Sequence, residues 1–152
     1  MATVYLICDL SGSMQESGKR FIVRSLIRTV DQYYRLQKSQ PDIKLVAWAD
    51  EAIIAKWTPG QEVPAELLSC SGSSSGDALV DKLETVGEGY FMIFTDGYWP
   101  LSTTKRIGAW KRSLAGDRLR IVKVGEDADP RLKGPSVFYA EDLLPALKGW
   151  VV

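Results

Sequence analysis

The sequence predicts an α/β fold: a doubly wound, Rossmann-like, mostly parallel six-stranded sheet with one antiparallel edge strand and helices on both faces. Three observations carry this. Short, near-continuous apolar runs such as Val4–Leu10 and Tyr90–Thr95 have the pattern of strands covered on both faces. Between them lie segments with helical spacing. One connection, Asp50-Glu51, is too short for anything but an antiparallel hairpin, because a parallel return needs a dozen or more residues.

The elements follow in order. Val4–Leu10 reads as the first strand. From about Gly18 to Gln37, Val23, Leu26, Ile27, Val30 and Tyr34 form one helical stripe, while Arg20, Arg24 and Arg28 form another face, read as a solvated surface. Pro41-Asp42 ends the connection, Ile43–Trp48 is the second strand, and Ala52–Trp57 returns beside it. Gln61–Ser69 is irregular, with one helical turn at most, and the small polar run Cys70–Gly76 is a loop. Asp77–Val86 is a short helix with Leu79, Val80 and Leu83 inward, broken by Gly87-Glu88-Gly89. After the Tyr90–Thr95 strand, Ser102 or Thr103 is placed to cap a helix that runs to about Leu114 with Ile107 and Trp110 inward. Leu119–Val124 and Val137–Tyr139 are the last strands, and Glu141–Lys148 a closing helix whose start Pro145 limits. No repeat, low-complexity tract or linker divides the 152 residues, so a single domain over 1–152 is expected. Trp48, Trp57, Trp110 and Trp150 read as packing residues.

Composition narrows the function classes. With 19 basic and 19 acidic residues the formal net charge is zero, which argues against a nucleic-acid binder. Nothing approaches the roughly 20 apolar residues of a membrane span. The N-terminus has no basic n-region and Asp9 interrupts its apolar stretch, so no secretory signal is expected. Two cysteines, Cys8 and Cys70, make no disulfide framework; reduced thiols in a cytoplasmic location are expected, with a bridge between the two left open. The absence of histidine removes Ser-His-Asp and Cys-His catalysis within the chain.

Oxygen-bearing side chains gather where strands should end. Asp9, Ser11 and Ser13 alternate just after the first strand; Ser71–Ser75 and Thr95-Asp96-Gly97 follow later. In open α/β sheets ligands bind beyond the carboxyl ends of strands, where strand order reverses. If the first strand and Tyr90–Thr95 are neighbours, Asp9 and Asp96 meet in that crevice. Hard cations such as Mg²⁺ take oxygen ligands at about 2.0–2.1 Å in octahedral geometry, which such a set suits.

Asp9-Leu10-Ser11-Gly12-Ser13-Met14 resembles the opening signature of von Willebrand factor type A (VWA) domains, whose metal-ion-dependent adhesion site has the form Asp-x-Ser-x-Ser, a distant Thr, and a distant Asp often followed by Gly. Thr95-Asp96-Gly97 is similar to the last part, and Asp77-Ala78-Leu79 to the helix start after the threonine loop. The departure is the threonine itself. The family's Gly-Gly-Thr segment aligns best with Ser71-Gly72-Ser73, which places Ser73 at the ligand position, with a shift onto neighbouring Ser74 or Ser75 left open.

The resemblance implies a metal site of Asp9, Ser11, Ser13, Ser73 and Asp96 holding Mg²⁺, or Mn²⁺ or Ca²⁺, with no catalytic residue. It implies a protein-binding adaptor that engages an acidic residue of another protein through the ion, with an AAA+ ATPase or a kinase–phosphatase stress-response system as the class of partner. Tyr98 and Trp99 follow the metal Asp and are candidate partner contacts, since Tyr and Trp are enriched in interface hot spots; for Trp99, folding back onto the next helix is the equal alternative. Two other functions compete. A haloacid-dehalogenase-like, Mg²⁺-dependent phosphotransfer enzyme needs a second acid two residues after Asp9, where Ser11 stands. A metal-free scaffold would use the same oxygens only to hold loops.

Overall fold

A computed structural model describes residues 2–151. Its six strands lie in the order β3-β2-β1-β4-β5-β6. β1 (Thr3–Asp9) is central, flanked by β2 (Asp42–Trp48) and β4 (Tyr90–Thr95), with β5 (Leu119–Lys123) and β6 (Val137–Tyr139) beyond β4. Those strands are parallel, and β3 (Ala52–Ile54) pairs antiparallel with β2 at the edge. The expected architecture is thus the one observed. The returning strand is shorter than Ala52–Trp57, because the chain leaves the sheet after Ile54 and Trp57 turns into the core, its indole N–H donating to the Gln61 carbonyl.

Alternation along β1 distributes its side chains between two cores. Val4, Leu6 and Cys8 face α1 (Lys19–Arg35) and α4 (Leu143–Leu147); Tyr5 and Ile7 face α2 (Gly76–Glu84) and α3 (Leu101–Ser113). The stripe Val23, Leu26, Ile27, Val30 and Tyr34 is buried as its spacing predicts. Trp48, Trp57, Trp110 and Trp150 are all buried. On the opposite face of α1, Arg24 and Arg28 pair with Glu62 across the connection that follows β3, an exposed pairing of the kind that contributes little.

The α1 helix begins at Lys19, next to the expected start near Gly18, and a 3₁₀ segment, Gly12–Gly18, precedes it and ends in left-handed backbone at Ser17 and Gly18. Two local expectations are corrected. The closing helix is split into a 3₁₀ turn, Ala140–Asp142, and the five-residue α4. Neither Ser102 nor Thr103 caps α3, which starts after Pro100 with no side-chain cap. Thr103 is buried within the first turn and spends its hydroxyl elsewhere, as described below.

Cys8 is fully buried in β1 and Cys70 is partly exposed; both are free thiols. Burial, reinforced by the neighbouring Asp9 and Cys70, pushes the Cys8 thiol up to about 12. Only thiolates react readily. Titration of the native protein with a disulfide reagent at pH 8 should therefore modify Cys70 alone, with Cys8 reacting only after denaturation; two equivalents taken up natively would contradict this packing.

Candidate metal centre

The crevice forms where strand order reverses, between β1 and β4. Register pairs Cys8 with Phe94, so Asp9 and Thr95 come side by side at the carboxyl end. Asp9 lies on the α2–α3 side, following Tyr5 and Ile7 in alternation, and is fully buried. Its carboxylate accepts four hydrogen bonds. The Ser11 N–H and the Ser74 hydroxyl donate to Oδ1, each at 3.0 Å. The Thr95 hydroxyl donates to Oδ2 at 2.6 Å and the Trp99 indole N–H at 3.3 Å. Burial still prevails, and the Asp9 carboxyl pKa is raised despite the lowering effect of the Thr95, Ser11 and Ser74 hydrogen bonds.

Backbone pairing gathers the three loops. Leu10 N–H donates to the Trp48 carbonyl at 2.7 Å, Ser71 N–H to Leu10 at 2.8 Å, and Gly12 N–H to Gly72 at 3.0 Å. Asp50 accepts from Ser73 N–H at 3.2 Å and fixes the serine loop from the other side. At its end Ser75 caps α2 by accepting from Ala78 N–H. Thr103 ties this loop to α3: its hydroxyl donates to the Ser74 carbonyl and accepts from Gly76 N–H. Gly76 permits the approach, since a Cβ there would lie 2.9 Å from Thr103 Cα.

The sequence-predicted residues divide. Asp9, Ser11 and Asp96 are buried at the crevice, and Ser13 is half-buried in the turn beside it. Ser73 is exposed and touches Asp50 through its backbone, whereas neighbouring Ser74 is buried with its hydroxyl on Asp9. The left-handed Gly72 and the pull of Asp50 on the Ser73 N–H turn the chain so that the next residue points inward. Trp99 packs edge-on against Trp48, and its indole N–H reaches both Thr95 and Asp9, so it lines the crevice wall. Tyr98 stands half-exposed at the mouth.

Two participants, Thr95 and Lys19, are absent from the sequence-based site, and Ser74 stood there only as the open alternative to Ser73. Thr95 had a signal only in strand register. Lys19 had one in periodicity: it continues the apolar stripe through Val23, Leu26 and Val30, an odd place for a lysine unless its charge is met inside. Its ammonium lies 3.0 Å from Asp96 Oδ2 and 3.1 Å from the nearest Asp127 carboxylate oxygen. Burial works against this charge, but the hydrogen bonds and charges of Asp96 and Asp127 outweigh it, and the ammonium pKa is raised.

The donor set fits a hard cation of limited charge demand. Among the described residues no group of three His, Cys, Asp or Glu side chains is placed to hold a metal ion, so an ion here would have to draw on hydroxyl oxygens and water besides carboxylates. This end of the sheet offers the Asp9 carboxylate, the Asp96 carboxylate already paired with Lys19, and serine hydroxyls. One of those, Ser11 Oγ, is buried without a hydrogen-bond partner. Buried hydroxyls normally find partners, and an orphan beside a carboxylate is the position a cation would fill.

No protein-family model matches the sequence, and no curated protein matches it. Solved structures do match the fold. Manganese-loaded TRAP protein of Plasmodium vivax superposes with a TM-score of 0.73 at 13% identity, over 100% of this chain and 74% of that one. A von Willebrand factor type A protein from Catenulispora acidiphila gives 0.60 at 17% identity, over 95% of this chain and 40% of that one. The ArnB paralog VWA2 of Sulfolobus acidocaldarius gives 0.57 at 13%, over 93% and 42%. The chain thus spans less than half the length of the latter two. At these identities the likeness concerns fold, and the fold is that of a VWA domain. No described helix is long and apolar enough to cross a membrane.

Proposed function

We propose that this chain is a non-enzymatic protein-binding module that grips an acidic side chain of a partner protein through a divalent cation, Mg²⁺ in the first instance. Ser11, Ser13 and Ser74 supply hydroxyl oxygens, and Asp9 and Asp96 supply charge directly or through water. The single observation that carries the reading is the orphaned Ser11 hydroxyl beside the buried, fourfold hydrogen-bonded Asp9. The VWA fold is typically an interaction module, and one protein of that fold is manganese-loaded, which supports the same reading. Two carboxylates match the ion's charge without exceeding it, so the ion stays electrophilic toward a carboxylate from outside. Ser11 stands where a phosphotransfer enzyme of haloacid-dehalogenase type needs its second acid, which favours binding over catalysis. Two free thiols suit a reducing compartment such as the cytoplasm, and an AAA+ ATPase or a kinase–phosphatase stress-response system remains the proposed class of partner.

The test is affinity capture from the native cell with and without chelator. Partners held through the ion should be recovered in 5 mM MgCl₂ (about the concentration needed for a weak site) and lost in EDTA. In melting experiments MgCl₂ should raise Tm. Partners retained equally in EDTA, with no Mg²⁺-dependent rise in Tm, would favour the metal-free scaffold.

A further inference from the structure

We propose that Lys19 is a built-in counter-cation of the metal centre: its ammonium holds Asp96 while no divalent ion is bound, and an arriving ion must displace it. This rests on the metal-binding reading above and adds what sets the affinity of that site.

Lys19 has no exposed surface, an uncommon state for a lysine. Its ammonium is enclosed by three oxygen groups from separate loops: Asp96 Oδ2 at 3.0 Å, Asp127 at 3.1 Å and the Ser13 carbonyl at 3.4 Å. Two of these, Asp96 and Ser13, are residues the metal centre uses. The Tyr98 ring lies over the ammonium at 5.9 Å, and the Tyr98 hydroxyl donates to the Asp127 carbonyl, closing the enclosure from the mouth side. Gly125 closes it from the β5 side. A Cβ on Gly125 would lie 2.8 Å from Lys19 Cε, and its backbone is left-handed at φ +95°, so only glycine lets this loop pack on the lysine stem.

Charge follows from this arrangement. Without Lys19, Asp9 and Asp96 present two negative charges to an ion. With it, Asp96 is already neutralised, and a dication arriving beside the ammonium meets like charge as well as a carboxylate in use. A buried carboxylate left alone is costly, so Lys19 also keeps the ion-free crevice intact. Asp127, already 3.1 Å from the ammonium, retains it once Asp96 is given up. Its carboxylate is 53% exposed, so the lysine head then shifts toward solvent. Lys19 thus trades affinity for a fold that does not depend on the ion, and its motion links occupancy of the metal centre to the loop bearing Asp127.

Two measurements test this. Calorimetry should give Lys19→Met an affinity for Mg²⁺ at least tenfold above that of the wild type, with a lower Tm in EDTA that saturating MgCl₂ restores. Equal or weaker Mg²⁺ binding by Lys19→Met, with the wild type binding normally, overturns the role of Lys19 and leaves the metal centre standing. Absence of binding in both proteins overturns both. The second measurement needs no variant and so survives any folding defect. Amine acylation of the wild type, read by mass spectrometry, should leave Lys19 protected in EDTA and label it several-fold faster in MgCl₂. Unchanged labelling with Mg²⁺ bound overturns the displacement.

Discussion

Asp9→Ala is expected to abolish Mg²⁺ binding: no heat on calorimetric titration and no rise of Tm with MgCl₂. Asp9 is the acceptor on which the crevice converges, holding the Ser11 N–H, the Ser74 and Thr95 hydroxyls and the Trp99 indole N–H. Two opposed effects act on stability in EDTA. The substitution relieves a buried carboxylate that carries no paired cation of its own. It also strands three donors, since the Trp99 indole keeps Thr95 as acceptor, and each costs about 1–3 kcal/mol if left unpaired. The second effect wins, less what relaxation and entering water recover, so urea unfolding should show a net loss of about 2–4 kcal/mol. Asp9→Asn, which keeps one oxygen, should fall between. Retained Mg²⁺ affinity in Asp9→Ala would remove this residue from the site.

The second large effect separates two adjacent serines. Ser74→Ala should weaken Mg²⁺ binding tenfold or more, whereas Ser73→Ala should change it less than twofold. The reason is orientation alone. Ser74 is buried with its hydroxyl 3.0 Å from Asp9, and its carbonyl is fastened by Thr103. Ser73 faces solvent, and the bond it makes to Asp50 is through its backbone N–H, which alanine keeps. The opposite pair of results would show that the serine loop rearranges on binding and brings Ser73 to the ion.

The architecture was legible because its signals are local. Apolar runs, the α1 stripe and the tight turn after Trp48 are properties of a few consecutive residues; strand order is not such a property, and the adjacency of β1 and β4 entered only as the condition for Asp9 and Asp96 to meet. That Asp9 and Asp96 stand at the carboxyl end of the sheet was legible from the same local signals, since the one closes a buried strand and the other directly follows one. The serine loop was not. Four serines within five positions are chemically alike, and which one turns inward is decided by the left-handed Gly72 and by Asp50, which is distant in sequence. Thr103 was misplaced because a hydroxyl near a helix start satisfies either its own helix or a neighbour, and only packing chooses. Lys19 was hidden by habit of composition: a basic residue at the start of a helix rich in arginine reads as surface, although its phase with Val23 puts it inside.

The double duty of the Thr103 hydroxyl has a mechanical consequence. By clasping the carbonyl of Ser74 and the N–H of Gly76, it makes the serine loop, the start of α2 and the first turn of α3 move as one block. Across the crevice, the Asp127 segment meets α1 through the charged grip of a single lysine, with the Tyr98 phenol alongside. The entrance therefore has one stiff jamb and one hinged on an ionic latch, and a guest seated between them will be felt unequally on its two sides.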